Sequence, residues 1–116
     1  MNVAQPLVQA TLLGEAIDAG PALVFVADED MRYVAVNETA CAVLGYEREE
    51  LLELRVTDVA GSDDASERYA QLVADGEASG TGTVVRKDGT HVPVAYRASR
   101  VTVAQTAFYI SVALVD

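Results

Sequence analysis

The last third of the chain limits its fold more than any other stretch. From Thr81 onward nearly every residue falls in a β-prone run. Thr81–Arg86 leads into Lys87-Asp88-Gly89-Thr90. Asp-Gly between β-prone runs signals a tight hairpin, because both central positions of such a turn take positive φ. Val92, Val94, Tyr96 and Ala98 then alternate with Pro93, Ala95, Arg97 and Ser99. The closing run, Gln105–Val115, alternates Phe108, Ile110, Val112 and Leu114 with Tyr109, Ser111, Ala113 and Val115. Successive side chains of a strand point to opposite faces, so each set shares a face. Three long strands are predicted, with no helices between them.

The first two thirds read differently. Pro6–Ala19 is predicted as a short amphipathic helix, since Leu12 and Ala16, and Leu13 and Ile17, stand four apart. Gly20-Pro21 stops it. Ala22–Ala27 is a continuous β-prone run, the acidic cluster Asp28-Glu29-Asp30 a turn, and Tyr33–Val36 a second strand. Two strands this close pair antiparallel, because a parallel pair needs a long crossover. Asn37 is placed to N-cap a helix carrying Ala40, Cys41 and Leu44, which Gly45 ends. Glu47–Leu52 and Thr57–Ala60 read as short turns, the second capped by Thr57. Asp64 and Glu67 have capping-box spacing ahead of a helix with Tyr69, Leu72 and Val73 as its apolar stripe, and Asp75-Gly76 closes it. Strands at both ends and small helices between them make the chain α+β.

Composition narrows the function classes. The 116 residues fit one domain, and 51% apolar residues supply one core. No stretch approaches the ~18 apolar residues of a membrane span, and the N-terminus lacks the pattern of a signal peptide. Eight basic against 18 acidic residues give a net charge of −10, which argues against nucleic-acid partners, since these need Lys and Arg to neutralise phosphates. Cys41 and His91 are each the single residue of their kind, so neither an internal disulfide nor a zinc site follows. A reducing, cytoplasmic setting is the expectation.

Several stretches together resemble the PAS domain family. Tyr33-Val-Ala-Val-Asn37-Glu-Thr-Ala-Cys-Ala-Val-Leu-Gly45-Tyr46 is similar to the family's strand, Asn and helix ending in Gly-Tyr. Glu49-Glu50-Leu51 follows as it usually does there. Arg86-Lys87-Asp88-Gly89-Thr90-His91-Val92-Pro93-Val94 resembles the family's hairpin, and Val112-Ala113-Leu114-Val115-Asp116 its final strand. The resemblance covers about residues 15–116 without gaps. It implies a five-stranded antiparallel sheet with short helices across one face, preceded by a flanking helix, with the domain over 21–116 and the flanking segment over 1–20. Glu53 stands where many members have Gly, which bears on the following loop. Members continue past the position of Asp116 into a signalling helix. The chain is therefore expected to be a module of a longer or truncated protein, passing its signal to an effector outside it.

The resemblance also implies which cofactors to test for. Thiol photosensors of this fold carry a Gly-x-Asn-Cys-Arg run where this chain has Leu54-Arg-Val-Thr-Asp-Val-Ala-Gly61, without Cys. Haem-binding members carry a His on the long helix, where Asp64–Asp75 has none. Cys41 reads as a small buried apolar residue and His91, opposite in parity to Val92 and Val94, as outward-facing. Flavin and haem are therefore disfavoured. Asp28-Glu29-Asp30 reads as a solvated turn rather than a metal site, and Gly80-Thr81-Gly82 lacks the Lys of a phosphate loop. No catalytic constellation emerges, so the chain is not expected to be an enzyme. The Leu23-Val-Phe-Val-Ala-Asp28 start resembles a response-regulator receiver, but the strand–helix alternation of that fold is missing.

Two functions remain. In the first, a sensor, Val94, Tyr96, Ala98, Phe108, Ile110 and Val112 line the concave sheet face, with Tyr69 and Leu72 above it. Ala98 leaves room for a small apolar ligand, and the Tyr69 and Tyr96 hydroxyls are its polar anchors. Ordinary core packing explains the same pattern. In the second, an interaction module, the outward set Tyr109, Ser111, Ala113 and Val115 is apolar for a wet face. The N-terminal helix and this face then make a homodimer.

Overall fold

A computed structural model describes residues 5–116 of the chain. Residues 1–4 of the expected flanking segment lie outside the described residues. Helix α1 (Pro6–Asp18) precedes strands β1 (Leu23–Ala27) and β2 (Tyr33–Val36). Four helices follow: α2 (Glu38–Leu44), α3 (Arg48–Leu51), α4 (Val56–Val59) and α5 (Ala65–Asp75). Strands β3 (Glu77–Val85), β4 (His91–Val103) and β5 (Thr106–Val115) close the chain. The fold is α+β, as expected. One antiparallel sheet has the order β2-β1-β5-β4-β3, so the last strand fills the centre and joins the opening hairpin to the closing meander.

Local chemistry explains most boundaries. The Asn37 side-chain oxygen accepts the Ala40 N–H at 3.0 Å, and Gly45 at φ 81 ends α2 in the left-handed conformation. Two caps differ from expectation. Helix α4 starts at Val56, held by the Asp58 carboxylate accepting the Arg55 N–H at 2.8 Å, so Thr57 caps nothing. Asp64 is the N-cap residue of α5 but makes no side-chain capping bond. Strand β3 begins at Glu77, which puts Gly80-Thr81-Gly82 inside the sheet.

The expected two-residue turn with positive φ at both central positions lies at the second hairpin and not at Asp88-Gly89. At Arg86–Thr90 only Gly89 has positive φ (89°), following a turn closed by the Gly89 N–H on the Arg86 carbonyl at 2.9 Å. That is a three-residue loop with a left-handed glycine. The two-residue turn with both central φ positive is Ala104-Gln105, at 50° and 66°, so Gln105 belongs to a turn and not to β5.

This second turn decides which face of β5 looks inward. It sets Val103 opposite Thr106, and the register then pairs Val94, Tyr96 and Ala98 with Val115, Ala113 and Ser111. On the other side Leu23, Phe25 and Ala27 of β1 pair with Ala113, Ser111 and Tyr109. Directly paired residues share a face. The inward set of β5 is therefore Tyr109, Ser111 and Ala113, with Tyr109 and Ala113 buried. The expected inward set, Phe108, Ile110, Val112 and Leu114, lies on the opposite face beside Val24, Val26 and Val101. Val112 is 41% and Leu114 53% exposed. Alternation alone could not choose, because both sets are apolar and nothing polar marked the wet side. The outer face is consequently more apolar than expected.

Helices α2 to α5 cross the inner face and enclose the core, with Leu23, Leu44, Leu51 and Val59 fully buried. Helix α1 contributes no buried residue.

Candidate functional site

Between the sheet and its helices lies a cavity of about 150 Å³. Its floor is Phe25 and Ala27 of β1, Tyr33 of β2, Val94, Tyr96 and Ala98 of β4, and Tyr109, Ser111 and Ala113 of β5. Val56 and Val59 of α4 close one side; Ala65, Arg68, Tyr69 and Leu72 of α5 form the roof. Along β3 the inward positions are Ala78, Gly80, Gly82 and Val84, opposite Ala98, Tyr96, Val94 and Val92. Two glycines in that row withhold side chains from the wall, which helps keep the space open beneath α5.

The aromatic residues fix the walls. Phe25 and Tyr33 have ring centroids 5.3 Å apart, and Tyr69 meets Tyr109 edge-on at 5.6 Å. Tyr69 donates its hydroxyl to the Asp28 carbonyl at 2.6 Å, which pins α5 to the β1–β2 turn. The hydroxyl proton is therefore committed to the protein, and the oxygen keeps its lone pairs as acceptors. Burial pushes the phenols of Tyr33 and Tyr69 well above the usual tyrosine range, so both stay neutral at physiological pH.

Of the eight expected site residues, Tyr69, Leu72, Val94, Tyr96 and Ala98 meet at the cavity. Ile110 borders it between Tyr109 and Ser111, although its register belongs to the outer face. Phe108 and Val112 do not line it, because the Ala104-Gln105 turn sends them outward. Sequence reasoning missed Phe25, Tyr33, Val59, Arg68, Tyr109, Ser111 and Ala113. Reading Ala104-Gln105 as a two-residue turn would have recovered the β5 set by parity alone. Arg68 had a weaker signal: it is the one cation in the Asp64–Asp75 helix and stands one residue before Tyr69.

The residues considered for cofactors lie elsewhere. Cys41 is half-buried on α2, outside the cavity, and burial pushes its thiol up. His91 is exposed at the start of β4, away from the cavity. The Asp28 carboxylate accepts the N–H groups of Asp30 and Arg32 at 2.9 and 3.1 Å, which makes it a turn residue. Among the described residues no three His, Cys, Asp or Glu side chains come together to hold a metal.

Asn37 does more than its expected capping role. It is buried, and its side-chain oxygen also accepts the Val24 N–H at 3.0 Å. Its amide nitrogen donates to the Ile17 and Ala22 carbonyls at 2.8 and 2.9 Å. One side chain thus joins the end of α1, the start of β1 and the first turn of α2. Asp18 adds a second tie, accepting the Glu38 N–H at 3.0 Å and pairing with Arg48 at 2.8 Å.

Comparison with known proteins agrees with this geometry. A family model described as PAS domain matches residues 21–116. The chain belongs to the PAS domain family. Among solved structures it is similar to the PAS domain of an HTR-like protein from Haloarcula marismortui, at 22% identity and TM-score 0.82, covering 93% of this chain and 92% of that one. It is also similar to a domain of a sensory box sensor histidine kinase/response regulator from Geobacter sulfurreducens, at 20% identity and TM-score 0.81, covering 97% and 99%. An RNA-binding light-oxygen-voltage receptor matches at 18% identity and TM-score 0.82, over 99% of this chain and 35% of that one. No curated protein matches the chain.

Proposed function

We propose that this domain is a sensory module of a signal-transduction protein. A small ligand enters the cavity under α5 and changes what the domain presents to an effector outside the chain. The observation that carries the reading is the cavity itself, because a well-packed interior leaves few voids larger than a water molecule. An apolar cavity of about 150 Å³ is known to accept a benzene-sized body. The module acts by binding: apolar side chains make up most of the cavity lining. Flavin photochemistry and haem are disfavoured, since neither a cysteine to react with a flavin nor a histidine to ligate haem iron lines the cavity. The protein should purify colourless. Hexanol, neutral and cavity-sized, should raise its melting temperature, and Ala98→Leu, which fills the floor, should remove that response. A visible chromophore band, or no response to hexanol, refutes this reading.

A second reading rests on a separate observation. Leu7, Leu12, Leu13 and Ile17 of α1 are 79, 57, 63 and 50% exposed. The outer sheet face adds Val112 and Leu114. A second copy of the chain that buries these surfaces makes a homodimer, through which the same signal would pass by way of the α1–Asn37 junction. The excess of acidic residues gives no footing to nucleic acid, and no helix among the described residues is long and apolar enough to cross a membrane. A cytoplasmic setting belongs to the same reading, because the one cysteine is free.

A further inference from the structure

Taking the cavity as a ligand site, we propose that it selects an amphipathic anion, a small monocarboxylate with an apolar body, and that Arg68 binds the carboxylate. The cavity has one charged residue in its lining, and that residue is Arg68. No aspartate or glutamate lines it, although the chain carries 18 of them. A chain of net charge −10 repels anions in general, so the exclusion of every carboxylate from this wall leaves a local positive spot.

The placement of Arg68 suits that role. Neither of the two ion pairs among the described residues includes it. Its guanidinium carbon lies 5.6 Å from the centre of the Tyr96 ring, and one terminal nitrogen donates to the Thr81 carbonyl at 3.3 Å. Guanidinium has five N–H donors in a planar fork, so that single bond leaves most of the fork free for a bidentate carboxylate. Gly80 and Gly82 keep β3 clear beneath it. A Cβ at Gly82 would stand 3.6 Å from one terminal nitrogen, and a Cβ at Gly80 3.8 Å from the other. Larger residues there would crowd the fork. The remaining walls are apolar or neutral, so the ligand's body lies among Leu72, Val94, Ala98 and Ala113 while its charge stays at the β3–α5 edge.

The test compares four probes of matched size or charge, hexanoate, hexanol, hexylamine and acetate, by backbone amide shifts of the intact protein at neutral pH. Hexanoate should bind about tenfold more tightly than hexanol, the factor expected of a charge-assisted hydrogen-bonded contact. Hexylamine should bind more weakly than hexanol, and acetate, which has no chain, should leave the cavity resonances unmoved. Arg68→Gln should remove the preference for hexanoate over hexanol, and Arg68→Lys should keep part of it. The four-probe comparison on the unaltered protein stands even if Arg68→Gln folds poorly. Equal binding of hexanoate and hexanol, or acetate binding as tightly as hexanoate, overturns the inference and leaves the cavity as a neutral site. Absence of binding by both hexanol and hexanoate overturns this inference together with the sensory reading.

Discussion

Helices α1 and α5 are of similar length, 13 and 11 residues, and opposite in behaviour. The sequence of α1 is the more apolar, yet none of its residues is buried. The α5 sequence alternates charged and apolar residues and buries Ala65, Tyr69 and Leu72. Apolar content therefore does not decide which helix joins the core. In α5 the apolar residues stand three and four apart and form one stripe against the sheet, with Glu67 and Gln71 left to water. In α1 they spread around the axis, and the helix is tied to the domain at its C-terminal end alone, through Ile17 and Asp18. A helix apolar over a broad arc and unburied in its own chain is stable when something else covers it.

Leu72→Ala should cost about 2–5 kcal/mol, the usual range for a buried leucine. Leu13→Ala, measured at low protein concentration, should stay within about 0.5 kcal/mol. Similar losses in denaturant unfolding would show that α1 packs on its own domain after all. Asn37→Ala should cost about 2 kcal/mol or more, because it strands the buried Val24 N–H and releases the end of α1. Faster amide exchange around Ile17 and Val24 should accompany the loss, and unchanged exchange there would mean that Asn37 does not hold the junction.

Association gives the next effect. Removing residues 1–16, which keeps Ile17 and Asp18, should weaken self-association at least tenfold, about 1.4 kcal/mol. Association of the intact chain should tighten as salt rises, since salt screens the repulsion between two chains of −10. Sedimentation equilibrium that finds the intact chain monomeric at high micromolar concentration would leave α1 without a partner. The last effect is at the hairpin between β3 and β4. Gly89→Val should cost about 1 kcal/mol, because a β-branched residue strains at φ 89. An unchanged unfolding midpoint would mean that the Arg86–Thr90 loop tolerates rearrangement.

Elements with local causes are legible in the residue order. Asn37 and Gly45 bracket α2, Gly76 ends α5, and period-two runs mark β4 and β5, because caps, positive φ and alternation depend on residues a few positions apart. The residue order also supplied part of the cavity: Tyr69, Leu72, Val94, Tyr96 and Ala98 are inward by patterns with a clear polar side. The remainder follows from register and packing across the fold. The inward face of β5 follows from register with β1 and β4, and both of its faces are apolar, so alternation did not fix it and the Ala104-Gln105 turn was its one local sign. The open space beneath α5 and the placement of Arg68 over Gly80 and Gly82 come from packing between residues more than ten positions apart. Pairing and packing at that range follow from where whole strands and helices meet, which no single stretch of sequence encodes.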